Sequence, residues 1–249
     1  MSLWFWIRWF GLDTVLAVSS VHLLVMQSQW SFSTAVGLGI VTSFFYMCDR
    51  LVDMTWGHEV ASNRHLIYRA RPLLLSASLL MLGSGAVMFW VVLPLDVQWS
   101  LVMVFLIFLC HVGCLFLPWY QHVKDVVVSL IFTWVMVVFQ WPEVDPRLVG
   151  VIFCYTLFNL RIHAMIDRYK SSDKVGRLLN TGGGWVVMGG MGGVLWLGVQ
   201  CYGVLGLAFG VGVACHIVLL RWPGYYWFEW GELCYATPFF IVASKKMLA

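Results

Sequence analysis

The chain has 249 residues, of which 61% are hydrophobic and 11% are charged, and its formal net charge is +3. Because an ordinary soluble domain carries about 25% charged residues, this composition excludes that class and indicates an integral membrane protein. No basic patch lies outside the loops between the apolar segments, so a nucleic-acid partner is not expected. We predict one integral membrane domain that covers residues 1–249.

Apolar segments recur along the whole chain, and most have about the length that a bilayer-crossing helix requires. Turn signals that contain Pro or Gly separate many of them. The first segment includes Arg8 and Asp13 and no clear cleavage site follows it, so we expect an uncleaved span and not a signal peptide. The pattern predicts an all-α polytopic membrane protein with about nine transmembrane helices, near residues 3–26, 32–48, 73–93, 98–117, 123–141, 148–166, 183–201, 203–220 and 231–244.

The basic residues are distributed unequally between the two sides of such a bundle. With nine spans, 12 of the 15 Lys and Arg residues fall on the side of the amino terminus and 3 on the other side. The positive-inside rule makes the richer side cytoplasmic. Both long polar loops, 49–72 and 161–178, lie on that side. We therefore expect a multi-pass protein of the bacterial inner membrane, with its amino terminus and acidic loops in the cytoplasm.

Two acid pairs follow apolar segments on this predicted cytoplasmic side. Asp49 and Asp53 are four residues apart, so a helix places both carboxylates on one face, where a cation or a basic neighbour must offset their repulsion. Asp167 and Asp173 follow the sixth segment. Carboxylates interleaved with basic side chains suit a magnesium-bound diphosphate. The alternative is that these charges are solvated anchors that pair within their own loops. The basic residues concerned are Arg50, Arg64, Arg69, Arg71, Arg161, Arg168, Lys170, Lys174 and Arg177.

Four stretches of the sequence carry a resemblance to a known family. They read FYMCDRLVD at 45–53, YRARPL at 68–73, PWYQHVKDVV at 118–127 and HAMIDRYKSSDKVG at 163–176. Their order and spacing resemble the UbiA superfamily of intramembrane prenyltransferases, which have nine helices and two Asp-rich cytoplasmic loops. The first family motif is approximately N-D-x-x-D-R-x-x-D and precedes an R-P-L element. The third stretch resembles the turn between the family's fourth and fifth helices, where a Lys commonly faces phosphate.

The chain also departs from the family pattern. Phe45 and Tyr46 stand where the family has Asn and Asp. The family's second motif, whose latter half HAMIDRYKSSDKVG resembles, begins with an Asp; here Leu160 stands at that position, with Asn159 beside it. Four aspartates remain of a larger set, with Glu59 as a stand-in. Fewer carboxylates mean weaker magnesium binding.

The resemblance implies Mg²⁺-dependent transfer of a prenyl group from a prenyl diphosphate to an aromatic or other lipophilic acceptor within the lipid bilayer. A terpene cyclase is a close variant, and a catalytically degenerate member that binds lipid or acts as a scaffold subunit is the alternative of a different class. No general base is evident, and His58 and His163 are better explained as structural. The implied metal ligands are Asp49, Asp53, Asp167 and Asp173; the implied diphosphate contacts are Arg50, Lys124, Arg168 and Lys174; and the implied cavity residues are Tyr46 and Tyr120.

Two other features have a simpler interpretation. The glycine-dense stretch 180–198 lies in an apolar segment, where small residues allow close helix packing, so we do not interpret it as a phosphate-binding loop. The stretch CHVGC at 110–114 suggests a metal, but membrane helices use Cys as a small apolar residue. We therefore expect these cysteines to pack and not to bind metal.

Overall fold

The computed structural model describes most of the chain up to residue 169 and scattered positions after it. The described residues are 3–26, 32–55, 68–115, 117, 120, 123–141, 143–169, 189–190, 192–193, 196, 198, 200, 206, 208–212 and 214–215. The predicted segments 183–201 and 203–220 are therefore described only in part. The predicted segment 231–244 lies outside the described residues.

Regular structure in the described residues is helical, with no strand, and this agrees with the predicted all-α class. A short 3₁₀ turn, Val138–Gln140, directly follows the sixth helix. The helices are α1 (Leu3–Trp9), α2 (Leu12–Met26), α3 (Phe32–Thr55), α4 (Pro72–Val91), α5 (Leu95–Cys114), α6 (Lys124–Val137) and α7 (Pro146–Tyr169).

The first predicted span, 3–26, is two helices with a bend between them. Gly11 lies at the bend with φ of 60°, a left-handed conformation that only glycine adopts at little cost. The ring of Tyr46 from α3 lies against it, and a Cβ added at Gly11 would stand 2.6 Å from a carbon of that ring. The glycine therefore permits both the bend and the close approach of α3.

Helices α3 and α4 form an antiparallel pair that is held together at glycines. The Phe44 ring of α3 lies over Gly83 of α4, and the Phe89 ring of α4 lies over Gly37 of α3. A residue in the middle of α3 (Phe44) therefore contacts one in the middle of α4 (Gly83), and one early in α3 (Gly37) contacts one near the end of α4 (Phe89), so the two helices run antiparallel. Small residues at such positions allow two helices to approach closely.

A tight turn joins α4 to α5. The Gln98 side-chain amide donates hydrogen bonds to the carbonyl oxygens of Leu93 at 2.8 Å and Val91 at 3.3 Å. These bonds satisfy carbonyls at the end of α4 that have no partner within the helix. Pro94 ends the turn and fixes the direction in which α5 starts.

The largest buried cluster lies among α2, α6 and α7. The chain passes from α6 to α7 through residues 138–145, and the two helices pack against each other as antiparallel neighbours. The Asp145 carboxylate accepts a hydrogen bond from the Arg147 backbone N–H at 2.9 Å at the start of α7. The cluster contains Val18, Val21, Leu38, Val104, Val135, Met136, Val137, Val144, Leu148, Val151, Ile152, Tyr155 and Phe209.

Among the residues that the structure describes, two helices are long and apolar enough to cross a membrane. They are α4 and α5, and only 17% of the apolar stretch of each is buried. Leu80 is 72% exposed and Leu73 is 86% exposed, whereas a core helix of a soluble protein would bury such side chains. A shorter apolar helix segment is Pro146–Leu160. The count of nine spans stays a prediction.

Several helix ends meet at one end of the structure, which we call the polar end. It comprises the carboxyl-terminal ends of α3, α5 and α7, together with Tyr120, Val123 and Lys124 at the start of α6. The rings of Phe45 in α3 and Phe108 in α5 are 4.8 Å apart, which places these two helices side by side. Because α7 runs antiparallel to α6, the backbone of Asp167 near the end of α7 belongs to the same end.

Candidate functional site

A buried histidine and tyrosine form the centre of the polar end. His111 lies in the last turn of α5 and is 2% exposed. Tyr120 lies in the connection between α5 and α6 and is also buried. Nδ1 of His111 and the Tyr120 hydroxyl oxygen are 2.6 Å apart, which is a short hydrogen bond. This bond links the end of α5 to the segment that leads into α6.

Two residues of opposite charge act on this histidine. The Asp49 carboxylate of α3 and the Lys124 ammonium at the first position of α6 both interact electrostatically with His111. Both side chains are half-buried. Helices α3, α5 and α6, with the connection between the last two, therefore bring a carboxylate, an imidazole, a phenol and an ammonium to one region. This group, Asp49, His111, Tyr120 and Lys124, is the candidate site.

The Tyr120 phenol is held in its protonated form. Its burial raises the pKa of the hydroxyl to about 12, and the nearby Cys114 thiol adds to the increase. A phenol with this pKa does not ionise near neutral pH, so it remains a hydrogen-bond donor as well as an acceptor.

Tyr46 and Tyr120, the two predicted cavity residues, have different surroundings. Tyr120 belongs to the polar site, in contact with His111. Tyr46 is buried, and its ring lies against Gly11 at the bend between α1 and α2. The role of either residue as a wall of a substrate cavity stays a prediction.

Most of the other predicted site residues have side chains outside the part that the structure describes. Arg50 and Asp53 lie on α3, and Asp167 and Arg168 lie on α7, but only their backbone positions are described. Asp173 and Lys174 are outside the described residues altogether.

The predicted magnesium site is accordingly represented by one carboxylate, Asp49. No group of three or more His, Cys, Asp or Glu side chains that is suitable for a metal ion occurs among the residues described. The assignment of Mg²⁺ to Asp49, Asp53, Asp167 and Asp173 therefore remains a prediction.

The YRARPL stretch fixes the start of α4 against α1. The buried Tyr68 hydroxyl donates a 2.6 Å hydrogen bond to the Trp9 carbonyl oxygen. The Arg71 guanidinium lies 4.9 Å from the centre of the Phe5 ring, a cation–π contact. Pro72 then begins the helix at the position that tolerates proline best.

A second buried polar group lies on α7. Asn159 is 1% exposed, and its amide nitrogen donates to the Tyr155 carbonyl oxygen at 2.7 Å. Its Oδ1 atom has no hydrogen-bond partner among the described residues. The residue sits beside Leu160, where the family motif has its leading Asp, and it is two turns before Asp167 on the same helix.

His111 is the site residue that the sequence did not reveal. The stretch CHVGC was explained by cysteine packing, and the histidine within it had no assigned role. The available signal was a histidine in the last turn of an apolar segment, nine residues before the tyrosine of YQHVK. The role of His111 becomes apparent only in the structure, where the connection between α5 and α6 brings Tyr120 into contact with the His111 ring.

Comparisons of this chain with models of protein families, with curated proteins and with solved structures give no match. The described part is a helical protein with two membrane-capable helices and a buried polar site at one end.

Proposed function

We propose that this chain is a multi-pass membrane prenyltransferase of the UbiA type, built as a nine-helix bundle with its acidic loops on the cytoplasmic side. It transfers the prenyl group of a prenyl diphosphate to an aromatic or other lipophilic acceptor and requires Mg²⁺. The observation that carries the proposal is that Asp49 and Lys124, from separate sequence motifs, both lie within electrostatic range of the same buried His111. A carboxylate and an ammonium are the groups that a metal–diphosphate complex needs close together.

The positions of the helix ends also support the proposal. Asp53 follows Asp49 by about one helical turn on α3, and the backbone of Asp167 and Arg168 lies at the same end of the molecule. Asp49 on α3 and the backbone of Asp167 on α7, one residue from each acidic motif, thus belong to one end of the described structure, beside helices whose apolar faces suit a bilayer. A diphosphate group bound at this end would leave its hydrocarbon tail in apolar surroundings.

Each group has a distinct role in the proposed reaction. Bound Mg²⁺ would neutralise charge on the departing diphosphate, with Asp49, Asp53, Asp167 and Asp173 as its ligands. Lys124 would contact phosphate oxygens as a point charge, together with Arg50, Arg168 and Lys174. Aromatic side chains near the site tolerate the positive charge that develops on the prenyl carbon.

The test is pyrophosphate release by the purified protein in detergent. A series of prenyl diphosphates of increasing length is supplied with and without Mg²⁺ and with and without an aromatic acceptor. We expect release only with Mg²⁺ and a prenylated acceptor as product. Asp49→Asn should abolish release because it removes a metal ligand without changing side-chain size. Asp96→Asn is the matched control, because Asp96 is exposed at the start of α5, at the other end of that helix.

The outcomes separate the competing functions. A cyclic or rearranged prenyl product that forms equally without an acceptor would identify a terpene cyclase. No turnover and no Mg²⁺-dependent binding at any chain length, from a protein that is folded, would refute the proposal and favour the catalytically degenerate alternative.

A further inference from the structure

We propose that His111 donates a hydrogen bond from Nε2 to an oxygen of the diphosphate, and that Tyr120 is the positioning residue that fixes the ring in the required tautomer. This inference rests on the proposed function and adds a residue that the sequence motifs do not contain.

The Nε2 atom of His111 is a buried polar atom without a hydrogen-bond partner among the described residues. Leaving such an atom unpaired costs about 1–3 kcal/mol, so native proteins rarely do so without a reason. Buried hydroxyls in the same structure are satisfied: Ser129 and Thr133 each donate to a carbonyl oxygen one turn earlier in α6, at 2.6 and 2.7 Å. A ligand that accepts a hydrogen bond would remove the cost at His111.

The hydrogen bond to Tyr120 determines which ring nitrogen carries the proton. We assign the Tyr120 hydroxyl as the donor and Nδ1 as the acceptor of this bond, because the phenol keeps its proton and an unprotonated imidazole nitrogen can accept it. The raised pKa of Tyr120, about 12 because of burial, keeps this proton on the phenol. In a neutral ring the remaining proton is then on Nε2, which makes that atom a donor.

The surroundings of His111 fit an anion and differ from those of the other buried histidine. Asp49 and Lys124 both act on His111, and in the proposed function they hold the metal and the phosphate oxygens. His22 also has an unpaired Nε2 among the described residues, but its neighbours are the Met136 carbonyl and the Phe139 ring. An unpaired ring nitrogen within electrostatic range of both a carboxylate and an ammonium therefore distinguishes His111 from His22 within the described structure.

The binding test uses Mg²⁺ and a prenyl diphosphate with three proteins: wild type, His111→Phe and His111→Gln. Phe keeps a planar ring and removes the donor, so we expect affinity to fall by roughly 10- to 150-fold, the value of a hydrogen bond to a charged group. Gln retains an amide donor near the position of Nε2 and should recover most of the affinity. The prenyl alcohol of the same length, which lacks the diphosphate, should bind all three proteins equally.

A spectroscopic measurement tests the tautomer directly and does not depend on the stability of a variant. The ¹⁵N spectrum of histidine-labelled wild type, assigned to His111 by the signal that His111→Gln removes, should show a proton on Nε2 and none on Nδ1. Tyr120→Phe should mix the two tautomers, and addition of Mg²⁺ with prenyl diphosphate should shift the Nε2–H signal of wild type.

The results distinguish failure of this inference from failure of the proposed function. If wild type binds the Mg²⁺–prenyl diphosphate and His111→Phe binds it equally well, the inference is wrong and the proposed function stands. A proton found on Nδ1 in wild type also overturns the inference. If wild type binds no prenyl diphosphate at any length, the proposed function fails and the inference fails with it.

Discussion

The bend at Gly11 gives the sharpest prediction about the fold. Gly11→Ala should destabilise the protein for two separate reasons. A non-glycine residue in the left-handed region costs about 1–2 kcal/mol. The new Cβ would also stand 2.6 Å from the Tyr46 ring, and overpacking of this kind costs about 1–3 kcal/mol.

The two costs together lower the free energy of unfolding by roughly 2–5 kcal/mol. At about 2–4 °C per kcal/mol for a chain of this size, the Tm should fall by roughly 4–20 °C. The assay is thermal unfolding of the purified protein in one detergent. Gly113→Ala is the matched control, because a Cβ there meets no atom of the described residues within 4 Å and alanine favours a helix. We expect the control to leave the Tm unchanged or slightly higher.

A double variant separates the steric cost from the backbone cost. In a Tyr46→Leu background the ring is gone, so Gly11→Ala should cost only the backbone strain of about 1–2 kcal/mol. Equal Tm values for Gly11→Ala and Gly113→Ala would contradict the left-handed conformation of Gly11 at the bend between α1 and α2. A Gly11→Ala cost that is the same with and without the Tyr46 ring would refute the contact between α3 and the bend.

Three further predictions concern other parts of the structure. Ser78→Ala should cost about 1–3 kcal/mol of stability, because it removes the 2.9 Å acceptor of the buried Trp9 indole N–H; an unchanged Tm would contradict that bond. Leu80→Lys should reduce the fraction of α4 that inserts into a membrane, because a charge at the centre of a span costs about 2.5–3.5 kcal/mol. Leu73→Lys is the control, because a lysine near the helix end can extend its amine to the membrane interface. Equal insertion of the two variants would argue against α4 as a span. The Tyr120 phenol should ionise near pH 12 in an ultraviolet titration. Its raised pKa contributes to the stability of the folded protein below about pH 10, and this contribution is lost as the pH rises from about 10 to 12. Tyr120→Phe should lack that step, and a tyrosine signal near pH 10 assigned to this residue would contradict its burial.

The long apolar helices were the most predictable part of the molecule. The predicted segment 73–93 corresponds to α4, Pro72–Val91, and 98–117 corresponds closely to α5, Leu95–Cys114. Continuous apolar sequence between proline-containing turns determines both, because such a stretch satisfies its backbone only as a helix in an apolar medium.

Helix continuity was harder to predict than helix position. The break at Gly11 does not change the hydropathy of the first segment, so the apolar pattern could not reveal it. Helix α3 extends to Thr55, beyond the predicted end at 48, because hydropathy marks the end of an apolar stretch and not the end of a helix. The extension places Asp49 and Asp53 on the helix itself.

The candidate site was predictable only in part. Asp49, Tyr120 and Lys124 could be identified because they lie in stretches that resemble family motifs. His111 could not, because its importance comes from a contact with Tyr120 across a connection whose path the sequence does not specify. The unpaired Nε2 is likewise a property of the folded surroundings and has no sequence signal.

The central claim is that the polar end binds a magnesium–diphosphate group between its acidic and basic side chains. Its most direct test is the affinity of the purified protein for a series of prenyl diphosphates, measured by calorimetry with and without Mg²⁺. The account predicts binding only with Mg²⁺, lost in an Asp49→Asn variant and retained in Asp96→Asn. Equal affinity with and without Mg²⁺, or with and without the Asp49 carboxylate, would contradict it.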